Sequence, residues 1–266
     1  MSPQELSATP RAKKALGQHF LHDKQVCSKI VALLDCKEHE NVLEIGPGPG
    51  AVTKILETLP IARLLLLEKD NYWASVRQRE GQQCTQTVLM DALRFDWTRL
   101  QTAMQWKIVG NLPYNIASPL IWDIVSLAHF TRAVFMVQKE VGQRIVASPG
   151  NKAYGALSVW VQNYVQPSMN FCVAPGAFGP PPAVDSAVLT FLPNMDVPKH
   201  PQALAKLLHI CFQQRRKQLG GTLRRASLAN ATQALAKCGI ACTARPEELT
   251  PFQFRQLATE LFCSTK

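Results

Sequence analysis

The stretch Asn41 to Gly50, NVLEIGPGPG, constrains what this chain can fold into more than any other. A short apolar run with β-branched Val42 and Ile45 breaks into glycines at alternate positions, Gly46, Gly48 and Gly50. Ala51 to Leu56 can then start a helix. Strand, tight glycine turn and helix, in that order, make the first ligand-binding element of a doubly wound α/β sheet, because a turn without Cβ atoms lets backbone N–H groups approach a ligand. The G-x-G-x-x-G spacing of a dinucleotide fingerprint fails at its last position, two prolines stiffen the turn, and Glu44 sets a carboxylate beside it. A negative charge there favours a cationic or zwitterionic ligand. Taken alone, the stretch also fits an ordinary glycine-rich turn.

Downstream, strand and helix signals keep alternating. Apolar runs at Arg63–Leu67, Thr87–Met90, Trp106–Val109 and Ala133–Val137 read as strands, with helical patterns between several of them. Repeated β-α units imply a mostly parallel sheet with helices on both faces, and such sheets bind ligands outside the carboxyl ends of their strands. Glu44, Glu68, Asp91 and Asn111 fall at or just after four successive strand ends, so they are expected to line one crevice. Glu68 has the spacing of a carboxylate that accepts both ribose hydroxyls, and Asp91 is placed to accept a proton from an adenine amino group. A nicotinamide dinucleotide would use the first feature too. The extra carboxylate at Glu44 favours S-adenosyl-L-methionine.

Asn111-Leu112-Pro113-Tyr114 follows a strand directly. The lone pair of an adenine N6 is delocalised into the ring, so methylating it calls for acceptors that draw its hydrogens out of plane. The Asn111 side-chain oxygen and the Pro113 carbonyl can serve, with Tyr114 stacked on an extruded base. In isolation the segment also reads as a strand-to-helix turn with an aromatic plug.

Of the formal charge of +10, residues 1–198 hold 18 Lys and Arg against 16 Asp and Glu, while residues 199–266 hold 11 against 3. Arg215, Arg216 and Lys217 stand together, with Arg224 and Arg225 following, on segments with helical patterns. This asymmetry points to a polyanion such as nucleic acid, although a run of three cations can equally be a solvated helix face. Eight scattered cysteines form no C-x-x-C pair and no zinc-ligand spacing, so no metal site is expected. With no signal peptide and no membrane span, the reading is a cytoplasmic protein, expected to be monomeric.

From about Lys13 to Phe262 the chain resembles the ribosomal RNA adenine N6,N6-dimethyltransferase family, and within it the bacterial small-subunit group. The resemblance is carried by LGQHFL (Leu16–Leu21), EIGPGPG (Glu44–Gly50), LEKD with Glu68, MDAL (Met90–Leu93), NLPYN (Asn111–Asn115), FGPPPAVDSAV (Phe178–Val188) and RPEELTPFQFRQLA. It implies cofactor contacts at His19, Leu21, Gly46, Glu68, Asp91 and Asn111, to which the glycine turn adds Glu44 and Gly48. It also implies that Phe178 stacks on the target adenine opposite Tyr114, and that the substrate is two adjacent adenosines near the 3′ end of small-subunit ribosomal RNA. The expected architecture is a disordered arm over 1–10, a Rossmann-like class I methyltransferase domain over 11–196, and a small all-helical RNA-binding domain over 197–266. Large-subunit RNA as substrate, or a ribosome-assembly factor without useful turnover, remain the rival readings.

Overall fold

The computed structural model describes residues 18–100, 105–228 and 230–263, so the expected arm over 1–10 and the pair Lys13-Lys14 lie outside the described residues. In chain order the elements are β1 (Phe20–Leu21), α1 (Lys24–Leu34), β2 (Asn41–Ile45), α2 (Thr53–Leu56), β3 (Arg63–Glu68), α3 (Asn71–Glu80), β4 (Thr85–Leu89) and β5 (Trp106–Asn111). They continue with α4 (Ala117–Leu127), β6 (Arg132–Gln138), α5 (Lys139–Val146), α6 (Ala156–Tyr164), β7 (Val165–Val173), β8 (Phe178–Gly179) and β9 (Ser186–Pro193). Four helices close the series: α7 (Pro201–Phe212), α8 (Leu219–Arg225), α9 (Ala231–Lys237) and α10 (Pro251–Phe262).

Seven strands form one sheet in the order β4-β3-β2-β5-β6-β9-β7, in which β4 through β6 are parallel and β9 runs antiparallel to both neighbours. Every residue of β2 is buried, as a central strand covered on both faces must be. The chain winds outward from β2 to β4, then returns to lay β5 on the other side of β2. The direction of winding therefore reverses between β2 and β5, and a crevice opens at their carboxyl ends.

Side chains alternate between two cores. Leu43, Ile45, Ile108 and Phe135 face the layer that holds α4 and α6, while Val42, Leu66, Val109 and Met136 face α1 and α2. Local signals match the elements. Asp23 caps α1 by accepting from the backbone of Gln25 and Val26, and Asp70 caps α3 by accepting from Tyr72. Strand β7 tolerates Pro167 because it lies at the sheet edge.

The helices after β9 do not build a core of their own. Leu204, Leu208, Phe254 and Leu257 belong to the same buried cluster as Trp160 and Phe135. Two buried polar side chains of the sheet-bearing part hold the start of α10: Tyr154 Oη donates to the Leu249 carbonyl at 2.8 Å, and Asn163 Nδ2 to the Pro251 carbonyl at 3.0 Å. The basic run at Arg215, Arg216 and Lys217 is not a helix face. It occupies a turn between α7 and α8, since α7 ends at Phe212 and the polar stretch from Gln213 to Gln218 offers no apolar residue to bury.

Because the core is continuous, unfolding is expected to be one cooperative transition. Tyr154→Phe, which leaves the Leu249 carbonyl without its buried donor, should lower stability by about 1–3 kcal/mol within that transition. Denaturant melts followed by circular dichroism and by tryptophan fluorescence check this; separate transitions for the two probes would contradict it.

Candidate active site

The glycine turn closes the carboxyl end of β2. Gly46, Gly48 and Gly50 have φ of +66°, +50° and +83°, a left-handed backbone that side chains with a Cβ rarely adopt. Space is short at two of them as well: a Cβ on Gly48 would stand 3.1 Å from the Phe20 ring, and one on Gly50 would stand 2.2 Å from Arg77 Nη1, which would have to move. Arg77, buried on α3 and paired with Glu80 at 2.6 Å, thus packs against the turn from beneath.

At the end of β3 the carboxylate of Glu68 accepts from two backbone N–H groups, Gly48 at 3.0 Å and Asp70 at 2.8 Å. Burial raises its pKa, and those N–H bonds act against the shift. A carboxylate has about four acceptor positions, and the Lys69 N–H also acts on this one, so room for a further donor remains. Asp91 accepts from Leu93 N at 3.1 Å and pairs with Lys69 at 2.8 Å; the hydrogen bond from Lys69 holds its pKa low.

The strap formed by β1 pairs antiparallel with β8 and carries His19 into the centre of the site. His19 Nδ1 lies 2.8 Å from the Pro180 carbonyl; a carbonyl only accepts, so Nδ1 carries the hydrogen. The His19 ring stacks on Tyr114 at 5.5 Å between centroids, and its main-chain oxygen accepts from Asn111 Nδ2 at 2.9 Å. Tyr114 Oη is 2.7 Å from Ser186 Oγ, and burial raises the phenol's pKa. The Pro113 carbonyl accepts from Ile116 N at 3.0 Å, which fixes its direction and leaves its second lone pair.

These groups line a cavity of about 120 Å³ that runs from Gly46, Gly48, Glu68 and Asp91 to Asn111, Pro113, Tyr114 and His19. Three of the four strand-end residues expected in one crevice therefore share it. Glu44 does not line this cavity. The pleat turns it to the same face as Val42, where it lines a smaller space of about 30 Å³ with Leu21, Pro47 and Val52. The two spaces share Phe20, Gly46 and Asn111 as walls. Glu44 accepts from Thr53 Oγ1 at 2.7 Å, and burial pushes its carboxyl up to about 7, so it offers a fixed negative charge only above that pH.

Phe178 also departs from expectation. Only 3% exposed, it packs among the α1-side core residues and lines neither space, because the β1–β8 pairing draws its strand down onto Leu21. Among the basic residues, Arg215 is committed to Glu247 at 2.9 Å and to the Lys152 carbonyl, while Arg225 bonds Gln214. Arg224 donates to the Gly220 carbonyl, and Arg216 and Lys217 are exposed. Sequence reasoning passed over Phe20, Lys69 and Met90 as cavity walls and Arg77 as the support of Gly50. Lys69 and Met90 flank expected ligands and were within reach of the strand-end argument. Nothing in the sequence marks Arg77.

The chain matches the ribosomal RNA adenine dimethylase family over residues 9–262. It belongs to that family. A ribosomal RNA small subunit methyltransferase A from Oleidesulfovibrio alaskensis is 51% identical, over 97% of this chain and 94% of the relative. The protein of the same name from Alcanivorax borkumensis is 39% identical, over 93% and 89%. Among solved structures, a dimethyladenosine transferase from Plasmodium falciparum superposes with a TM-score of 0.75 at 24% identity, covering 90% of this chain and 96% of that one. The 23S rRNA methyltransferase ErmE does so at 0.68 and 22%, covering 91% and 99%. At these identities both indicate a common fold, the Rossmann-like methyltransferase sheet of this dimethylase-family chain.

The Glu44 carboxyl has a folded pKa above its ordinary value of 4.5. Its contribution to stability is therefore fully present below that value and is lost as pH rises through about 7. Glu44→Gln keeps an acceptor for Thr53 and removes the charge. Between about pH 5 and pH 8 the unmodified chain should lose about 3 kcal/mol relative to the variant. Urea melts across that range test the point, and parallel pH profiles would contradict it.

Proposed function

We propose that the chain transfers methyl groups from S-adenosyl-L-methionine to N6 of two adjacent adenosines near the 3′ end of small-subunit ribosomal RNA, giving N6,N6-dimethyladenosine. The observation that carries this reading is the meeting, in one cavity of a dimethylase-family chain, of Glu68 and Asp91 with Asn111, Pro113 and Tyr114. The small-subunit assignment is supported by a relative of that name that is 51% identical over nearly the whole chain. When bound, S-adenosyl-L-methionine supplies an electrophilic methyl group on a positively charged sulfur.

The cavity's donors and acceptors fit such a cofactor. Glu68, held by the Gly48 and Asp70 N–H groups, would take the ribose hydroxyls with its remaining acceptor capacity. Asp91, kept ionised by Lys69, would accept from the adenine amino group. Gly46 and Gly48 bring backbone against the ligand and His19 borders it from the strap, while Leu21 lines the adjoining space. Glu44 acts from the adjoining space, through the wall it shares at Gly46 and Asn111.

On the substrate side, Asn111 Oδ1 and the remaining lone pair of the Pro113 carbonyl would accept the two N6 hydrogens of adenosine, and in the second transfer the one that N6-methyladenosine keeps; each transfer releases one proton to water. Drawing these out of the ring plane frees the nitrogen lone pair for in-line attack. Asn111 is already oriented by His19 O and Pro113 by Ile116 N, so neither acceptor must reorganise when the base arrives. Tyr114 would stack on the extruded base. Phe178 joins it only if its ring leaves the cluster beneath β1. In this reading residues 11–196 carry the chemistry, and 197–266 dock RNA through Arg216, Lys217, Arg224 and Arg225, with Arg215 bracing the turn. The enzyme works as a cytoplasmic monomer on small-subunit particles and contributes to subunit biogenesis.

Labelled cofactor offered to small-subunit particles lacking the modification, to large subunits and to naked RNA tests the reading. Dimethyladenosine is expected in the small subunit alone. Label in the large subunit would shift the substrate, and binding without transfer would favour an assembly factor. Asn111→Ala should reduce kcat on the order of a hundredfold to a thousandfold while weakening cofactor binding at most moderately; unchanged turnover would overturn the role given to Asn111.

A further inference from the structure

A second basic surface adjoins the glycine turn at Pro49, and none of the roles above uses its exposed cations. An open groove of about 430 Å³ is bordered by Lys54 of α2, Pro49 of the turn, and Tyr72, Trp73, Arg77 and Arg79 of α3. Its charge is cationic: Glu80 is the one acid on its border, and that carboxylate is taken by Arg77. Lys54 and Arg79 are exposed, and among the described residues neither forms an ion pair. The buried Arg77 contributes a guanidinium whose Nε has no hydrogen-bond partner among the described residues. Tyr72 is half-buried, edge-on to Trp73 at 5.0 Å between centroids.

Cations without an ion-pair partner beside an aromatic ring are the elements that bind a single-stranded nucleic acid, the cations taking phosphates and the ring a base; Arg79 keeps its outer nitrogens for this, its Nε donating to the Ser75 carbonyl at 3.2 Å. The groove is also close to the reaction. Trp73 meets Phe20 at 5.4 Å between centroids, and Phe20 both covers Gly48 and lines the cavity. A strand seated there lies one ring pair away from the catalytic space. We propose that this groove is a second RNA-docking surface, holding phosphates of an unpaired segment of the substrate RNA at Lys54 and Arg79, with a base against Tyr72. The proposal rests on the function given above and adds to it a contact on the catalytic side of the molecule, remote in sequence from the basic turn at Arg215–Lys217.

The test is methyl transfer to small-subunit particles lacking the modification, measured with the full chain carrying Lys54→Glu with Arg79→Glu, or Tyr72→Ala. A charge-keeping pair, Lys54→Arg with Arg79→Lys, serves as control. For the charge-reversed pair, KM for the particle should rise about tenfold or more, with kcat at saturating particle and cofactor affinity unchanged. The dependence of log KM on log salt should flatten by about 1–2 as two phosphate contacts are lost. The tyrosine variant should raise KM while keeping the salt slope, and the control should behave as the unmodified chain. An unchanged KM, a raised KM with an unaltered salt slope in the charge-reversed pair, or a fall in cofactor affinity would each overturn the proposal. If the unmodified chain transfers no methyl group, the functional reading fails on its own. Equilibrium binding of the same variants to the particle then still decides whether the groove holds RNA.

Discussion

The two backbone N–H bonds received by the Glu68 carboxylate fix the geometry on which the site depends. One comes from the glycine turn after β2, the other from the start of α3, so a single side chain sets the spacing between two strand ends. A desolvated carboxylate is costly without donors, and those N–H groups offset the cost only while the turn keeps its shape. That shape in turn requires left-handed backbone at Gly46, Gly48 and Gly50, the Phe20 ring above and the Arg77 guanidinium beneath. The charge at the strand end and the absence of side chains in the turn are thus two halves of one constraint.

A second set of contacts ties together segments far apart in sequence. Asn111 bonds the His19 carbonyl, the His19 ring bonds the Pro180 carbonyl and stacks on Tyr114, and Tyr114 bonds Ser186. The N-terminal strap, the Asn111–Tyr114 turn and the proline-rich loop therefore hold one another in place. The same strap, by pairing with β8, keeps Phe178 buried and leaves His19, Phe20 and Tyr114 as rings that line the cavity.

Much of this was legible from the chain. Alternating apolar runs gave the strands, and glycine, asparagine and aspartate at their ends marked the crevice, because in a parallel sheet position along the strand fixes which end a residue reaches. What escaped is what depends on the third dimension. Glu44 is one residue short of its strand end, and the pleat sends it to the α1–α2 face. Phe178 is aromatic beside a rigid loop, which indicates that the ring is held but not on which side. The run Arg215–Lys217 looks helical by charge alone, and only the end of the apolar pattern at Phe212 shows that the helix has stopped. The division at 197 followed composition, whereas packing places the later helices on the same core as α6.

That shared core has a mechanical meaning. The turn bearing Arg216 and Lys217 is braced to Glu247 and Lys152 through Arg215, and the start of α10 is pinned by Tyr154 and Asn163. In the proposed reading, where this turn grips RNA, grip and reacting centre behave as the two jaws of a caliper set to one opening. A caliper cannot reach from one adenosine to its neighbour by flexing. Modifying two bases in succession would require the RNA to be re-seated between the jaws, with the travel supplied by the nucleic acid.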